Sequence, residues 1–302
     1  MNRRRFLEQT AAVAAGGLAL PALLPAARLA WPGPIGLQLY TVRDDYARDP
    51  LGTLKKVAAI GYREVELLFI PSVTPVQLKG YLRQAGLAAH SGHYVPPGGG
   101  NHFLPDDQEK LHHAIADWHT LGLHYMVCMM AFGTTEDDWE RIADVLNHAG
   151  RACAAAGLQF AYHNHMEEFR PVKSGRGSTN GYQIMLRRCD PRLVKMELDI
   201  FWATYARQDC LALFRESPGR FPLLHIKDIR KDMPAMDRAE FPPAASMPFV
   251  EVGQGAIDWK AIFAHAHQAG ARHIYVEQDR CEVPPLQAAQ ASFDYLKTLT
   301  LA

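Results

Sequence analysis

Strand-like apolar runs and helix-period stretches take turns along nearly the whole chain, and glycine marks the change from one to the other. Gly61, Gly86, Gly122, Gly157 and Gly270 each stand between a helical pattern and the next apolar run, where a left-handed residue is wanted to end a helix. The strand-like runs are 35–39, 62–67, 88–93, 124–129, 158–163, 194–198, 223–227 and 273–277. Helix-period stretches lie at 51–60, 76–85, 108–121, 136–156, 181–188, 211–215 and 259–269, and 285–298 closes the series. Such strict alternation calls for a parallel sheet covered by helices. An open, doubly wound sheet would satisfy the same count. No G-x-G-x-x-G follows an early strand, however, so a dinucleotide-binding fold lacks its fingerprint. The expected class is α/β, a (β/α)₈ TIM barrel, and 302 residues suit one barrel of roughly 250 residues with a leader and insertions.

The leader is read from the first residues. Arg3, Arg4, Arg5, Phe6 and Leu7 precede an alanine-rich apolar run over 11–27. This pattern resembles a twin-arginine export signal, with small residues near Ala26 to Ala30 for cleavage. Gly16, Gly17, Pro21 and Pro25 weaken a stable spanning helix. The expected division is a signal peptide over 1–30 and a barrel over 31–302, with a periplasmic or secreted location and no stable membrane insertion after cleavage. Formal net charge is zero over the full chain, and Arg3, Arg4, Arg5 and Arg28 against Glu8 leave the remainder near −3. With no basic stretch beyond the first five residues, a nucleic-acid partner is not expected. Five scattered cysteines without C-x-x-C spacing read as buried thiols rather than a metal or redox motif. Two stretches break the rhythm, 96–100 and 232–248, and both follow strand ends, where barrel enzymes place substrate loops.

Acids and histidines gather at the ends of the last four strands. They are Tyr162 to Phe169 after the fifth, Glu197-Leu198-Asp199 at the sixth, His225-Ile226-Lys227-Asp228 at the seventh and Val276-Glu277-Gln278-Asp279 at the eighth. In a barrel these ends converge on one mouth. Strand alternation turns Asp199, His225 and Glu277 inward if Leu198, Leu224 and Val276 face the helices. Carboxylates crowded there would repel one another and take up protons, and a divalent cation resolves this directly. The alternative is a salt-bridged polar plug using Lys227 and Arg230.

The phrases "IGLQLYTVRD" (35–44), "AGLQFAYHNHMEEF" (156–169), "MELDIFWA" (196–203), "LLHIKDIRKD" (223–232), "VGQGAIDWKAIF" (252–263) and "YVEQD" (275–279) resemble the xylose isomerase-like superfamily of sugar isomerases and epimerases. The resemblance covers essentially the whole chain after the leader. It implies a metal-dependent barrel with one ligand from each of the last four strands, here Glu168, Asp199, His225 and Glu277. Many members carry Y-H-N-H-D-F-E-F, whose last Glu falls on Glu168. Met-Glu replaces Asp-Phe in this chain, so Glu167 is a rival, and alignment with the E-x-x-N epimerases would put the ligand nearer His163. The implied ion is Mn²⁺, with Mg²⁺, Co²⁺ or Zn²⁺ as alternatives.

The implied reaction is proton abstraction next to a carbonyl. Glu277 and Glu168 could shuttle the proton, His165 is a further base or acid, and Lys227 could neutralise an oxyanion. Gln38, His93, His163 and Trp202 are expected to contact substrate. Export favours an unphosphorylated sugar or keto-sugar. The first expectation is an isomerase or epimerase, and a 3-keto-glycoside lyase or hydrolase would use the same chemistry. Two further classes are an endonuclease IV-like nuclease and a non-catalytic sugar-binding protein. A homo-oligomer is left open.

Overall fold

In the computed structural model, which describes residues 28–68, 73–95, 104–174, 177–232 and 247–301, the eight apolar runs form one closed barrel. Its strands are β1 Gly36–Gln38, β2 Glu64–Leu67, β3 Ala88–Tyr94, β4 Tyr125–Met129, β5 Gln159–His163, β6 Val194–Asp199, β7 Leu223–Ile226 and β8 His273–Val276. Each pairs in parallel with its neighbours in sequence, and β8 closes on β1. The five punctuating glycines all have positive φ, from 70° at Gly86 to 129° at Gly61.

Helices cover the outside. The larger ones are Pro50–Ile60, Pro75–Ala85, Gln108–Leu121, Glu136–Ala155, Gly181–Arg188, Cys210–Glu216, Trp259–Ala269 and Pro285–Leu296. Short helices over Arg43–Arg48 and Ile200–Tyr205, which the periodicity does not pick out, follow β1 and β6. The main core lies between strands and helices, where Leu198, Leu224 and Val276 are buried. The barrel lumen has its own small apolar layer of Val127, Ala161, Leu223 and Tyr275.

Gly36 shows how tightly that layer is filled. A Cβ at this position would lie 2.4 Å from Tyr275 Cδ1 and 2.9 Å from the Ile274 carbonyl oxygen. Gly36→Ala is therefore expected to destabilise by about 1–3 kcal/mol, the usual cost of overfilling a packed core. Urea unfolding measures this, and Tyr275→Leu in the same chain should recover part of the loss.

The expected leader over 1–30 falls largely outside the described residues. Its last three residues, 28–30, are described. Arg28–Leu29 pairs antiparallel with Thr300–Leu301, and Ala30 is buried and donates its N–H to the Leu299 carbonyl at 2.8 Å. The stretch 96–100 and most of 232–248 also lie outside the described residues. No disulfide links the five cysteines, of which Cys128, Cys153, Cys189 and Cys210 are buried. Among the described residues no helix is long and apolar enough to cross a membrane.

After β7 the chain is organised around Asp228. Its carboxylate accepts from the backbone N–H groups of Ile229, Gly253, Gly255 and Ile257 and from Trp259 Nε1, at 2.8–3.2 Å. A Cβ on Gly255 would lie 2.1 Å from Asp228 Oδ1. The "VGQGAIDW" phrase is thus a wrapping around one buried anion, and it fixes the approach to the helix Trp259–Ala269.

Candidate active site

Asp199 ends β6, His225 sits within β7 and Glu277 follows β8. One ligand atom from each lies within 4.8 Å of the others, and all three residues are buried. His225 Nδ1 is 2.8 Å from Glu277 Oε2 and 3.8 Å from Asp199 Oδ2. The other ring nitrogen of His225 faces the lumen, with Nε2 2.6 Å from Glu66 Oε2 and 3.2 Å from Glu197 Oε2. Glu66 is held by Gln38 Nε2 at 2.8 Å and by the Ser91 hydroxyl at 2.6 Å. Burial opposes a charge on His225, but Glu197, Glu277 and Glu66, flanking both ring nitrogens, raise its pKa well above the usual imidazole value; a cation taking the place of the Nδ1 proton would leave Nε2–H held by Glu66. This is how an outer carboxylate sets the tautomer of a ligating imidazole.

Charge is concentrated in this mouth. Burial opposes ionisation of Glu66, but His93 and His225 overcome it and hold its carboxyl well below the usual range. Burial and the Glu66 charge push Glu197 up. Lys227 is buried with Nζ 2.7 Å from Asp279, 2.9 Å from Glu277 and 3.1 Å from Asp199. Burial works against its charge, and those three carboxylates raise its pKa well above the lysine value. Of the two cations of the expected polar plug, Lys227 thus does pair with the mouth carboxylates, whereas Arg230 pairs with Asp232 at 3.2 Å.

Glu168 does not join this cluster. It is completely buried, accepting from the Tyr162 hydroxyl at 2.5 Å and from the His165 N–H at 2.9 Å. Burial pushes its carboxyl up to about 8 against those two hydrogen bonds. The reason is local: β5 ends at His163 and a 3₁₀ turn over Glu167–Phe169 carries Glu168 back against the strand. Glu167 is no substitute, because it lines a separate depression with Thr134 and Arg170.

The donor that β5 does contribute is His163. Its Nε2 lies 4.0 Å from Asp199 Oδ2, its Nδ1 3.2 Å from Glu197 Oε2, and its ring centroid 4.5 Å from that of His225. His163, His93, Glu197 and His225 also form a tight donor group. Strand parity held the signal, since Ala161 faces the lumen and His163 is two residues further on. Gln38 is likewise displaced from its expected role. It is fully buried, and its amide serves Glu66 Oε2 and the Tyr40 N–H instead of a ligand. Asn164 accepts the Asp199 N–H at 3.1 Å, and Asp199 Oδ1 caps the helix Ile200–Tyr205 at the Trp202 N–H.

Above the cluster opens a cavity of about 530 Å³, lined by His163, His165, Trp202, Lys227, Phe249 and Glu277 among others. His93 also reaches it, and burial is outweighed there by Glu66 and Glu197, which raise its pKa to about 9. Burial and the Lys227 charge press His165 down to about 3. Met130, on the wall after β4, has φ 61°, an uncommon backbone for a residue with a side chain.

The donors fit a divalent ion. Glu197 Oε1 and Asp199 Oδ2 are buried and accept no hydrogen bond, although Lys227 Nζ approaches the latter. Four buried carboxylates, Glu66, Glu197, Asp199 and Glu277, and the half-buried Asp279 face one ammonium and three imidazoles. His163, Asp199, His225 and Glu277 could hold an ion through two nitrogens and two oxygens. Such a mixed set suits Zn²⁺, Co²⁺ or Mn²⁺ better than an all-oxygen ion such as Mg²⁺.

The sequence profile of the xylose isomerase-like TIM barrel family matches residues 54–299. The chain belongs to that family. Within it, the inosose dehydratase of Geobacillus kaustophilus is 25% identical over 283 residues, covering 85% of this chain and 88% of that protein. The inosose dehydratase of Geobacillus thermodenitrificans is 26% identical over 170 residues, or 54% and 55% of the two chains. With relatives of that second kind the chain matches only about half of their length. A solved sugar phosphate isomerase/epimerase from Parabacteroides distasonis superposes with TM-score 0.74 at 25% identity, over 88% of this chain and 98% of that one. The IOLI protein with a binding zinc atom shares the fold, with TM-score 0.65 at 15% identity, over 88% and 96%.

Proposed function

We propose that the chain is a divalent-metal-dependent enzyme that moves a proton next to the carbonyl of an unphosphorylated sugar, keto-sugar or related cyclic polyol. The observation that carries this reading is the convergence of Asp199, His225 and Glu277, with His163 Nε2 4.0 Å from Asp199 Oδ2, beneath a cavity of about 530 Å³, within the range of small-ligand pockets. A divalent ion held there would act as a Lewis acid on a substrate carbonyl and its neighbouring hydroxyl.

The side chains supply the rest. His165 lines the cavity with its Nδ1 making no hydrogen bond, and we assign it the role of base or acid at the carbon next to the carbonyl. Glu277 takes part in proton movement from the other side, and the Lys227 ammonium steadies developing negative charge on oxygen. Trp202 and Phe249 meet edge to face at 5.8 Å on the cavity wall and offer an apolar surface to a sugar face. Glu168, away from the cavity wall, takes no part in this scheme. A leader for export, proposed over residues 1–30, favours substrates without phosphate.

Once the carbon acid is deprotonated, the outcome depends on the substrate. Return of the proton gives isomerisation or epimerisation, and loss of a β-leaving group gives elimination. The inosose dehydratases among its relatives favour the second outcome as a specific alternative.

The test is deuterium incorporation from heavy water into a panel of keto-sugars, inososes and 3-keto-glycosides. Exchange is expected with Mn²⁺ or Zn²⁺ present, to vanish with chelator and to return on adding the metal. His165→Ala should slow it by about 10²–10⁴-fold. Metal-loaded protein that neither exchanges nor turns over any of these substrates overturns the proposal.

A further inference from the structure

The far end of the barrel carries a second constellation of metal-ligating side chains. Glu64 opens β2, His273 opens β8, His90 lies early in β3 and His124 directly precedes β4. These are N-terminal strand ends, on the other side of the Val127, Ala161, Leu223 and Tyr275 layer from the cavity. β1 lies between β8 and β2, and opposite Glu64 it offers only Gly36. With no side chain in the way, Glu64 and His273 meet: Glu64 Oε2 is 2.9 Å from His273 Nδ1. Glu64 Oε1 is 3.5 Å from His90 Nε2. One ligand atom from each of Glu64, His90 and His273 falls within 4.8 Å of the others.

Ligands about 2.0–2.2 Å from a tetrahedral ion stand roughly 3.4 Å apart. The separations of 2.9 and 3.5 Å run to the two oxygens of Glu64, so a small turn of that carboxylate, or a grip through both its oxygens, brings the two imidazoles onto one ion. His124 adds an outer partner, because its Nδ1 faces His90 Nδ1 at 3.3 Å and the two rings stack at 5.2 Å. Two such nitrogens share one proton. A proton on His90 Nδ1, donated to His124, leaves the Nε2 lone pair toward Glu64. That is the arrangement of a ligating imidazole oriented from behind. Side-chain exposures of 27% at His90 and 16% at His273 give an ion a route in from solvent, while Glu64 stays buried.

We propose that Glu64, His90 and His273 form a second metal site at the floor of the barrel, for an ion of the Zn²⁺ class, with His124 positioning His90. Two imidazoles and one carboxylate match the donor preference of Zn²⁺, Co²⁺ or Ni²⁺ and leave a coordination position open to water. Mg²⁺ and Ca²⁺ demand oxygen and fit poorly. The proposal does not depend on the reaction at the mouth, since the lumen layer separates the two groups.

The full chain, stripped with chelator and dialysed, is titrated with Zn²⁺ by calorimetry against a competing chelator. Two equivalents are expected. His90→Gln with His273→Gln should remove one, while Asp199→Asn with His225→Gln should remove the other. His124→Ala should keep the stoichiometry at two, leave the metal-free melting temperature unchanged and weaken one site by about 10–100-fold. Anomalous diffraction at the zinc edge needs no variant and should place an ion among Glu64, His90 and His273. Unaltered stoichiometry in the His90→Gln, His273→Gln chain, or an anomalous map with no floor peak, overturns the site. Loss of the mouth ion alone bears on the proposed reaction and leaves the floor site standing.

Discussion

Glu277→Gln should lower kcat/KM by about 10³-fold, roughly 4 kcal/mol of transition-state stabilisation, while the protein stays folded. Glu277 contacts both His225 and Lys227 and borders the cavity. Burial alone would favour its neutral form, but Lys227 and His225 hold its carboxyl below the usual range. Glutamine keeps the shape and removes the charge, which also takes a partner from the buried Lys227 and His225, so a lowered unfolding midpoint should accompany the loss of turnover and metal affinity. The informative contrast is Glu168→Gln. Its carboxylate is turned to Tyr162 and the His165 backbone, so its effect on kcat/KM should stay within about tenfold, ~1.4 kcal/mol. If Glu168→Gln were the more damaging of the two for turnover at equal stability, the assignment of the mouth donors would be wrong.

Asp228→Ala should cost about 4 kcal/mol of stability, since hydrogen bonds to a buried charge are worth about 1.5–3 kcal/mol each and do not add fully. Five donors converge on this carboxylate, and alanine leaves them buried without an acceptor. Asp228→Asn should lose less, because one oxygen remains while the amide opposes donors on the other side. Urea unfolding monitored by tryptophan fluorescence reads both, with Trp259 itself bonded to the anion at 2.9 Å. A change of less than about 1 kcal/mol in the alanine variant would mean that the segment after β7 is held by other contacts.

Much of the architecture was readable from periodicity because each βα unit repeats the same local signals. The short helix Ile200–Tyr205 was not, since it is six residues long and buries Ile200, Phe201, Trp202, Ala203 and Tyr205, which leaves no polar face to mark a helical period. Asp199, His225 and Glu277 were legible through strand parity, a rule of backbone geometry that needs no partner. Glu168 misled because parity stops where the strand stops, and beyond His163 the chain turns into a 3₁₀ helix. Applying parity to the last residue of β5 would have chosen His163. Gln38 has the polarity of a ligand contact, yet Glu66 occupies its amide, a pairing across 28 residues of sequence that no local pattern announces. The floor group is subtler still. Glu64, His90, His124 and His273 belong to four different βα units, and only closure of the cylinder brings β8 near β2.

The antiparallel pair Arg28–Leu29 with Thr300–Leu301 has a use in protein engineering. Because these two stretches lie side by side, a few glycines and serines could splice them. The loop beside the Ile200–Tyr205 helix or another exposed bend could then be cut to open a rearranged chain. Such a circular permutant would retain every rung of the cylinder and move only the point where synthesis begins.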